Sequence, residues 1–260
     1  GESTGQIDRS RVIEQRAEIV LDAIRLLKAR SDIDPARIGL WGISQAGYVM
    51  PRVLERSDDV AFMIAISCAG APGVEQGIQL LAAQMVCAGY PRESIEQLRE
   101  QIRTFTMAET YQEYVRHKAP LAATPAFRAL ERFGQRIEVT AEEHWHPADR
   151  ARVYYGYDPM EVIRCTSIPI LAVFGERDTQ VDPVQGAEAW REALAHAGNR
   201  HSRVRVFPGT DHNIIRSETG CIDEREARSE AGWRNYPGEY LDLLETWLTD
   251  LAGDRKPSGP

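Results

Sequence analysis

Long apolar runs are missing from this sequence. The longest, Val60 to Ile66, falls far short of the roughly 20 residues that a membrane-spanning helix requires, and the first residues show no charged-then-apolar leader pattern. A soluble, cytoplasmic protein is the expectation. Positive charge is also in short supply: 31 Lys and Arg stand against 39 Asp and Glu, leaving a net charge of −8. Such a surface repels phosphate backbones and anionic headgroups, which argues against nucleic acid or a membrane as partner. Cysteine is scarce too, with only Cys68, Cys87, Cys165 and Cys221, no C-x-x-C pair and no His/Cys cluster at metal-ligand spacing. Structural zinc is therefore not expected. A chain of 260 residues can stabilise itself by core burial alone, so all four thiols are expected to be reduced. No internal repeat is visible, and 43% hydrophobic with 27% charged residues is an ordinary globular composition.

What is present is an alternation of strand and helix patterns. Residues 10–29 place Ile13, Ala17, Val20, Ile24 and Leu27 on one helical face, with Ser10 as the N-cap. Arg37 to Gly42 is a short apolar run that leads directly through Ser44 into a second helix ending near Glu55. Val60 to Ser67 reads as a strand buried on both faces, and Ile168 to Phe174 and Arg203 to Phe207 read as two more. A helix from Pro183 to Ala197 lies between the last two, and another runs from Gly238 to Leu251 and stops at Gly253. Strands that alternate with helices pair in parallel, so the predicted fold is α/β with a mostly parallel, doubly wound sheet.

Residues 72–164 interrupt this alternation. They carry helical patterns such as Gln76 to Cys87 and Arg92 to Phe105 but no strand signal, and are predicted to form a helical insertion over the carboxyl ends of the strands. The competing reading is a helical decoration that only adds stability. The core is then residues 1–71 and 165–253, and 254–260 is a disordered tail.

Chemistry is suggested at three strand ends. Gly42-Ile43-Ser44-Gln45-Ala46-Gly47 puts small residues two before and two after Ser44, as a sharp strand-to-helix turn requires if it is to expose a nucleophilic hydroxyl. The bland alternative is a helix N-cap serine. A base and an orienting acid must follow other strands, in the order serine, acid, histidine. Asp178 follows Phe174 and His212 follows Phe207. In this arrangement His212 takes the Ser44 proton, Asp178 orients the imidazole, and the backbone N–H of Gln45 is one oxyanion donor. The second oxyanion donor is not readable.

Other candidates carry blander readings. Asp182 is read as a helix N-cap, Glu176 as exposed, and Asp211 as pointing away from His212. His144 and His146 flank Trp145 and would hold a metal only with a third ligand, so neither metal nor organic cofactor is expected. His117, His196 and His201 are read as solvated. Tyr154, Tyr155 and Tyr157 fit either a substrate cavity or packing core, and Asp223 to Glu230 reads as a solvated loop.

Taken together, Trp41-Gly-Ile-Ser-Gln-Ala-Gly47, Phe174-Gly-Glu-Arg-Asp-Thr-Gln-Val181 and Phe207-Pro-Gly-Thr-Asp-His212 resemble the nucleophile, acid and histidine segments of the alpha/beta-hydrolase superfamily. The resemblance is to bacterial hydrolases related to prolyl oligopeptidase and dienelactone hydrolase. It implies a serine hydrolase acting on a small or medium carboxylic ester, with a peptidase or thioesterase as alternatives and the insertion as a helical cap. Alanine at position 46 departs from the second elbow glycine. Gly1-Glu2-Ser3-Thr4-Gly5 resembles a turn that in these relatives follows about the fourth strand, which implies a longer parent whose first third, roughly, is cleaved into a separate chain, lies outside this numbering or is replaced by another subunit. A separate N-terminal fragment or a second subunit would then complete the sheet beside the apolar edge at Ile38 to Trp41. A catalytically silent binding or assembly partner is the reading from another class.

Overall fold

A computed structural model of the chain describes residues 4–8, 11–133, 137–147, 156–227 and 235–254. Its centre is a four-stranded sheet in the order β1-β2-β3-β4, with every neighbouring pair parallel. The strands are β1 (Leu40–Ile43), β2 (Met63–Ile66), β3 (Ile170–Gly175) and β4 (Arg203–Phe207). Register aligns Ile43, Ile66, Val173 and Arg205 across the sheet, so all four strands end along one edge. β2 and β3 are buried throughout, which is why their sequences are apolar without alternation. β1 forms one border of the sheet, and Trp41 on it is 62% exposed.

Helices cover both faces. On one side lie α1 (Val12–Lys28), α2 (Ala46–Leu54), the short α7 (Pro159–Ile163) and α8 (Pro183–His196), packed on Met63, Ala65, Ile170, Ala172 and Phe174. Trp190 of α8 is fully buried there, and its indole N–H donates to the Cys68 carbonyl at 3.0 Å. Glu14 of α1 pairs with Arg52 and Arg56 at the end of α2, holding the first helix down. On the opposite face Tyr240 and Trp247 of α10 (Gly238–Asp254) pack against Ile64, Ile66, Leu171 and Val173.

Between β2 and α7 the chain forms α3 (Gly73–Cys87), α4 (Arg92–Thr106), α5 (Tyr111–Ala122) and α6 (Pro125–Arg128), followed by short 3₁₀ turns. These helices have a hydrophobic cluster of their own, built on Ile78, Met85, Ile102, Phe127 and Leu130. α7 packs with the sheet: Met160 and Ile163 belong to the central core.

Several expectations are corrected. Ser10 lies outside the described residues, and the first helix has Arg11 at its N-cap with no side-chain capping bond. The final helix runs to Asp254 instead of stopping at Gly253, because glycine there continues with helical geometry; 255–260 lie outside the described residues. Asp223 to Ala227 is not a loop but most of a helix, α9 (Ile222–Ala227). Ile222 is buried against the α3–α6 cluster, and the Glu224 carboxylate gathers the backbone N–H groups of Glu218, Thr219 and Gly220. The thiols are not all reduced either. Cys87, at the end of α3, and Cys221, just before α9, form a disulfide across 134 residues of sequence, leaving Cys68 buried and Cys165 exposed as free thiols. Among the described residues no helix is long and apolar enough to cross a membrane.

A cross-link that closes so long a loop restricts the unfolded chain strongly. Cys221→Ser is expected to lower the unfolding free energy by about 2–5 kcal/mol in urea denaturation. Cys165→Ser should change it by less than about 0.5 kcal/mol; equal effects for the two would show that the bridge does not stabilise the fold.

Candidate active site

Ser44 sits where β1 becomes α2. Its backbone is left-handed, with φ of 58°, and its N–H donates to the Ile66 carbonyl at 2.9 Å, so the turn is an extension of the parallel ladder. A non-glycine residue in this region costs about 1–3 kcal/mol and persists only where its surroundings enforce it. Here the enforcement is steric. A Cβ on Gly42 would stand 2.3 Å from Cβ of Ala46, and one on Gly47 would stand 2.6 Å from Cβ of Cys68. Strand and helix therefore meet with no room for larger residues. Ser44 is half-buried, and among the described residues no hydrogen bond engages its Oγ.

The candidate acid and base lie beyond β3 and β4. Gly175 ends β3, and a Cβ there would stand 2.0 Å from the Asp211 carbonyl; its absence lets the two loops close on each other. The second loop is a tight reversal in which Asp211 N–H donates to the Ile215 carbonyl and Ser217 N–H to the Gly209 carbonyl, with buried Ile214 held at φ 60°. Across this contact His212 Nδ1 lies 2.8 Å from Asp178 Oδ2, with side-chain exposures of 6% and 0%. The other carboxylate oxygen, Oδ1, accepts from the N–H groups of Gln180 at 2.7 Å and Val181 at 3.0 Å. Asp178 is thus a buried carboxylate with both oxygens occupied, which suits it to fix a ring orientation. Nδ1 is the nitrogen that faces Asp178, and Nε2 lies on the far side of the ring.

The rival acids are placed elsewhere. Asp182 caps α8 by accepting from the N–H groups of Val184 and Gln185, as expected. Glu176 is exposed but not idle: its carboxylate accepts from Gly209 N–H at 2.8 Å and braces the histidine loop. Asp211 turns its carboxylate to the N–H groups of Asn213 and Ile215, away from the ring. The side chain of Gln45 accepts a hydrogen bond from Arg16, while the residue itself lies at the N-terminus of α2, where among the described residues its backbone N–H takes no part in the turn and cap bonds.

A cavity of about 1460 Å³ opens from Ser44, Gln45 and Tyr48 on the sheet side to α3, α4 and α5 on the other. Gln76 of α3 donates to the Gln180 carbonyl, and Gln79 donates to Asp182 at 3.2 Å, so α3 is fastened to the loop that carries the acid. His144 and His146 also line the cavity. Among the described residues no three His, Cys, Asp or Glu side chains are grouped to hold a metal. Tyr157 does not line it. Its ring lies under the Arg52 guanidinium, 3.7 Å away, against the central core, and burial drives its hydroxyl pKa well above the usual phenol range. Tyr154 and Tyr155 lie outside the described residues. His117 is half-buried, whereas His196 and His201 are exposed.

Two features of the site were not read from the sequence. One is the α3 glutamines, which carry no distinguishing pattern. The other is Lys118, which shares a helical face with Tyr114 and Leu121 and lines the cavity. A charge at that spacing on an apolar face was the available signal.

Cys68 lies beneath the elbow and is not poised as a nucleophile. Burial pushes its thiol up to about 12, only partly offset by backbone hydrogen bonding around Gly47, Ser44 and Ile66. At pH 8 the thiolate is a minute fraction, so iodoacetamide should alkylate Cys165 and spare Cys68 in the folded protein, as read by peptide mass mapping. The elbow makes a further prediction. Gly42→Ala should cost about 1–3 kcal/mol of stability through overpacking, and adding Ala46→Gly should recover most of it; a double variant no more stable than the single would refute the steric account.

Residues 104–234 match the prolyl oligopeptidase family. Esterase EstD of Thermotoga maritima is 23% identical over 233 residues, covering 83% of this chain and 46% of that protein; the chain thus spans about half the length of this curated relative. Among solved structures, the esterase RhEst1 from Rhodococcus sp. ECU1013 is similar with a TM-score of 0.49 at 15% identity, over 96% of this chain and 77% of that one. The acylaminoacyl peptidase of Pyrococcus horikoshii gives a TM-score of 0.43 at 15% identity, over 84% of this chain and 26% of that one.

Proposed function

The chain belongs to the prolyl oligopeptidase family, with an alpha/beta-hydrolase fold, and from that premise we propose that it is a serine hydrolase cleaving a small or medium carboxylic ester through an acyl-enzyme on Ser44. The observation that carries this reading is the buried Asp178–His212 pair at 2.8 Å, on the same sheet edge as the left-handed turn at Ser44. A histidine sealed against a carboxylate with both oxygens engaged has little structural purpose, which supports a role as proton acceptor on the opposite nitrogen.

In this mechanism His212 Nε2 takes the Ser44 proton as Oγ attacks the ester carbonyl. The oxyanion that forms is met by the Gln45 N–H at the α2 N-terminus. The imidazolium, stabilised by Asp178, gives its proton to the departing alkoxide, leaving the acyl group on Ser44. Water then repeats the sequence with the same base, and the acid is released. Burial of the pair keeps the imidazolium–carboxylate interaction undiluted by solvent.

The ester assignment leans on the esterase relative, whereas the family description favours a peptidase as second reading. Amide cleavage uses the same groups but demands protonation of a poorer leaving group, so turnover of matched ester and anilide substrates separates the two. In the same reading α3–α6 form a cap over the cavity, and a strand from another segment or subunit completes the sheet beside β1.

Ser44→Ala should abolish both ester turnover and fluorophosphonate labelling, with the adduct in the parent protein mapping to Ser44. Asp178→Asn, which keeps the shape but loses the tautomer control, should lower kcat by about 10⁴-fold. Unchanged turnover in Ser44→Ala would end this reading.

A further inference from the structure

The cavity holds a charge that ester hydrolysis alone does not call for. Lys118 of α5 is only 7% exposed and lines the same space as Ser44. Its ammonium lies 5.6 Å from the ring centre of Phe105 and 5.4 Å from that of Tyr114, and among the described residues no carboxylate stands within ion-pairing distance of it. The neighbouring cations are treated differently: Arg103 pairs with Glu75 at 2.6 Å, and Arg99 with Glu96 at 3.3 Å.

Burying an ammonium without a counter-ion is expensive, and aromatic faces return only about 0.5–2 kcal/mol of that cost. The Tyr114 hydroxyl beside it is a neutral and shared partner, since it also donates to Thr140 Oγ1 and accepts from Thr140 N–H, both at 3.0 Å. Burial alone would raise the Tyr114 phenol, yet its hydrogen bonds with Thr140, a hydrogen bond from the Lys118 ammonium and that ammonium's positive charge together hold it below its usual range. Glu131 and Glu138 also line the cavity, but both are exposed, where water screens them. The cavity lining therefore has a desolvated positive point and, on its exposed part, solvated negative ones.

We infer that Lys118 is an anion subsite of this cavity and pairs with a free carboxylate carried by the substrate, so that the favoured ester bears a negative charge away from its scissile bond. Filled in this way, the ammonium exchanges water for a charge-assisted hydrogen bond in a nearly dry setting, the circumstance in which such bonds are strongest. The aromatic walls of Phe105, Tyr114 and Trp145, the last stacked on Tyr114 at 5.7 Å, suit an apolar spacer between carboxylate and ester. The identity of the occupant rests on the hydrolase reading above, whereas the binding of an anion does not.

The test uses calorimetric titration of the intact protein with octanoate and with octanamide, alongside kcat/KM for mono-p-nitrophenyl suberate and p-nitrophenyl octanoate. The wild type should favour the carboxylate of each pair by about tenfold to a hundredfold, carried by KM in the turnover arm. Lys118→Met, which keeps the length and apolar stem, should collapse both ratios towards one, and Lys118→Arg should retain most of them. Equal binding of octanoate and octanamide to the wild type, or a preference that survives in Lys118→Met, overturns the anion subsite. If octanoate is preferred through Lys118 but neither ester is hydrolysed, the subsite stands and the hydrolase reading falls. If Ser44-dependent hydrolysis occurs with no charge preference, the reverse holds.

Discussion

Parallel pairing is the constraint on which the rest of this molecule depends. Because β1 to β4 run the same way in close register, every strand ends on one edge, and every loop with chemistry in it is delivered to that edge without further instruction. The cost is that each return path needs a covering segment, and the helices that supply it bury the sheet on both faces. The apolar monotony of β2 and β3 follows from the same fact, as does the contrast with β4, where Arg203 and Arg205 remain accessible at the far border.

Steric economy then refines what topology provides. Ser44 is held in a left-handed conformation because Gly42 and Ala46 touch, and the acid and histidine loops meet because Gly175 offers no side chain to keep them apart. Two missing Cβ atoms thus set the two contacts from which the candidate site is assembled. The alanine at position 46, a departure from the usual small-residue pattern of the elbow, fits only because glycine occupies position 42.

The parts legible in the sequence were those encoded locally. A strand that ends in a tight turn leaves its signature within six or seven residues, so Ser44, Asp178 and His212 could each be placed at a strand end, and Asp182 could be separated from them as a helix cap. What could not be read depends on contacts between distant segments. Nothing near Cys87 or Cys221 announces that α3 and the segment before α9 are neighbours. The acidic stretch after Cys221 looked solvated because its composition is polar, yet Glu224 is spent on tying up the N–H groups of its own turn. For Tyr157 the sequence fits a substrate cavity and a packing core equally, and packing under Arg52 decides between them.

The bridge between Cys87 and Cys221 alters what a break in the chain would mean. Ser44 precedes the closed loop and His212 lies within it, so a single backbone cut anywhere between the two cysteines divides the polypeptide but not the molecule. The piece bearing the serine and the piece bearing Cys221 would remain one covalent object, at an effective concentration no dilution could lower. Nicked and intact forms would run together on a non-reducing gel and part only when a thiol is added.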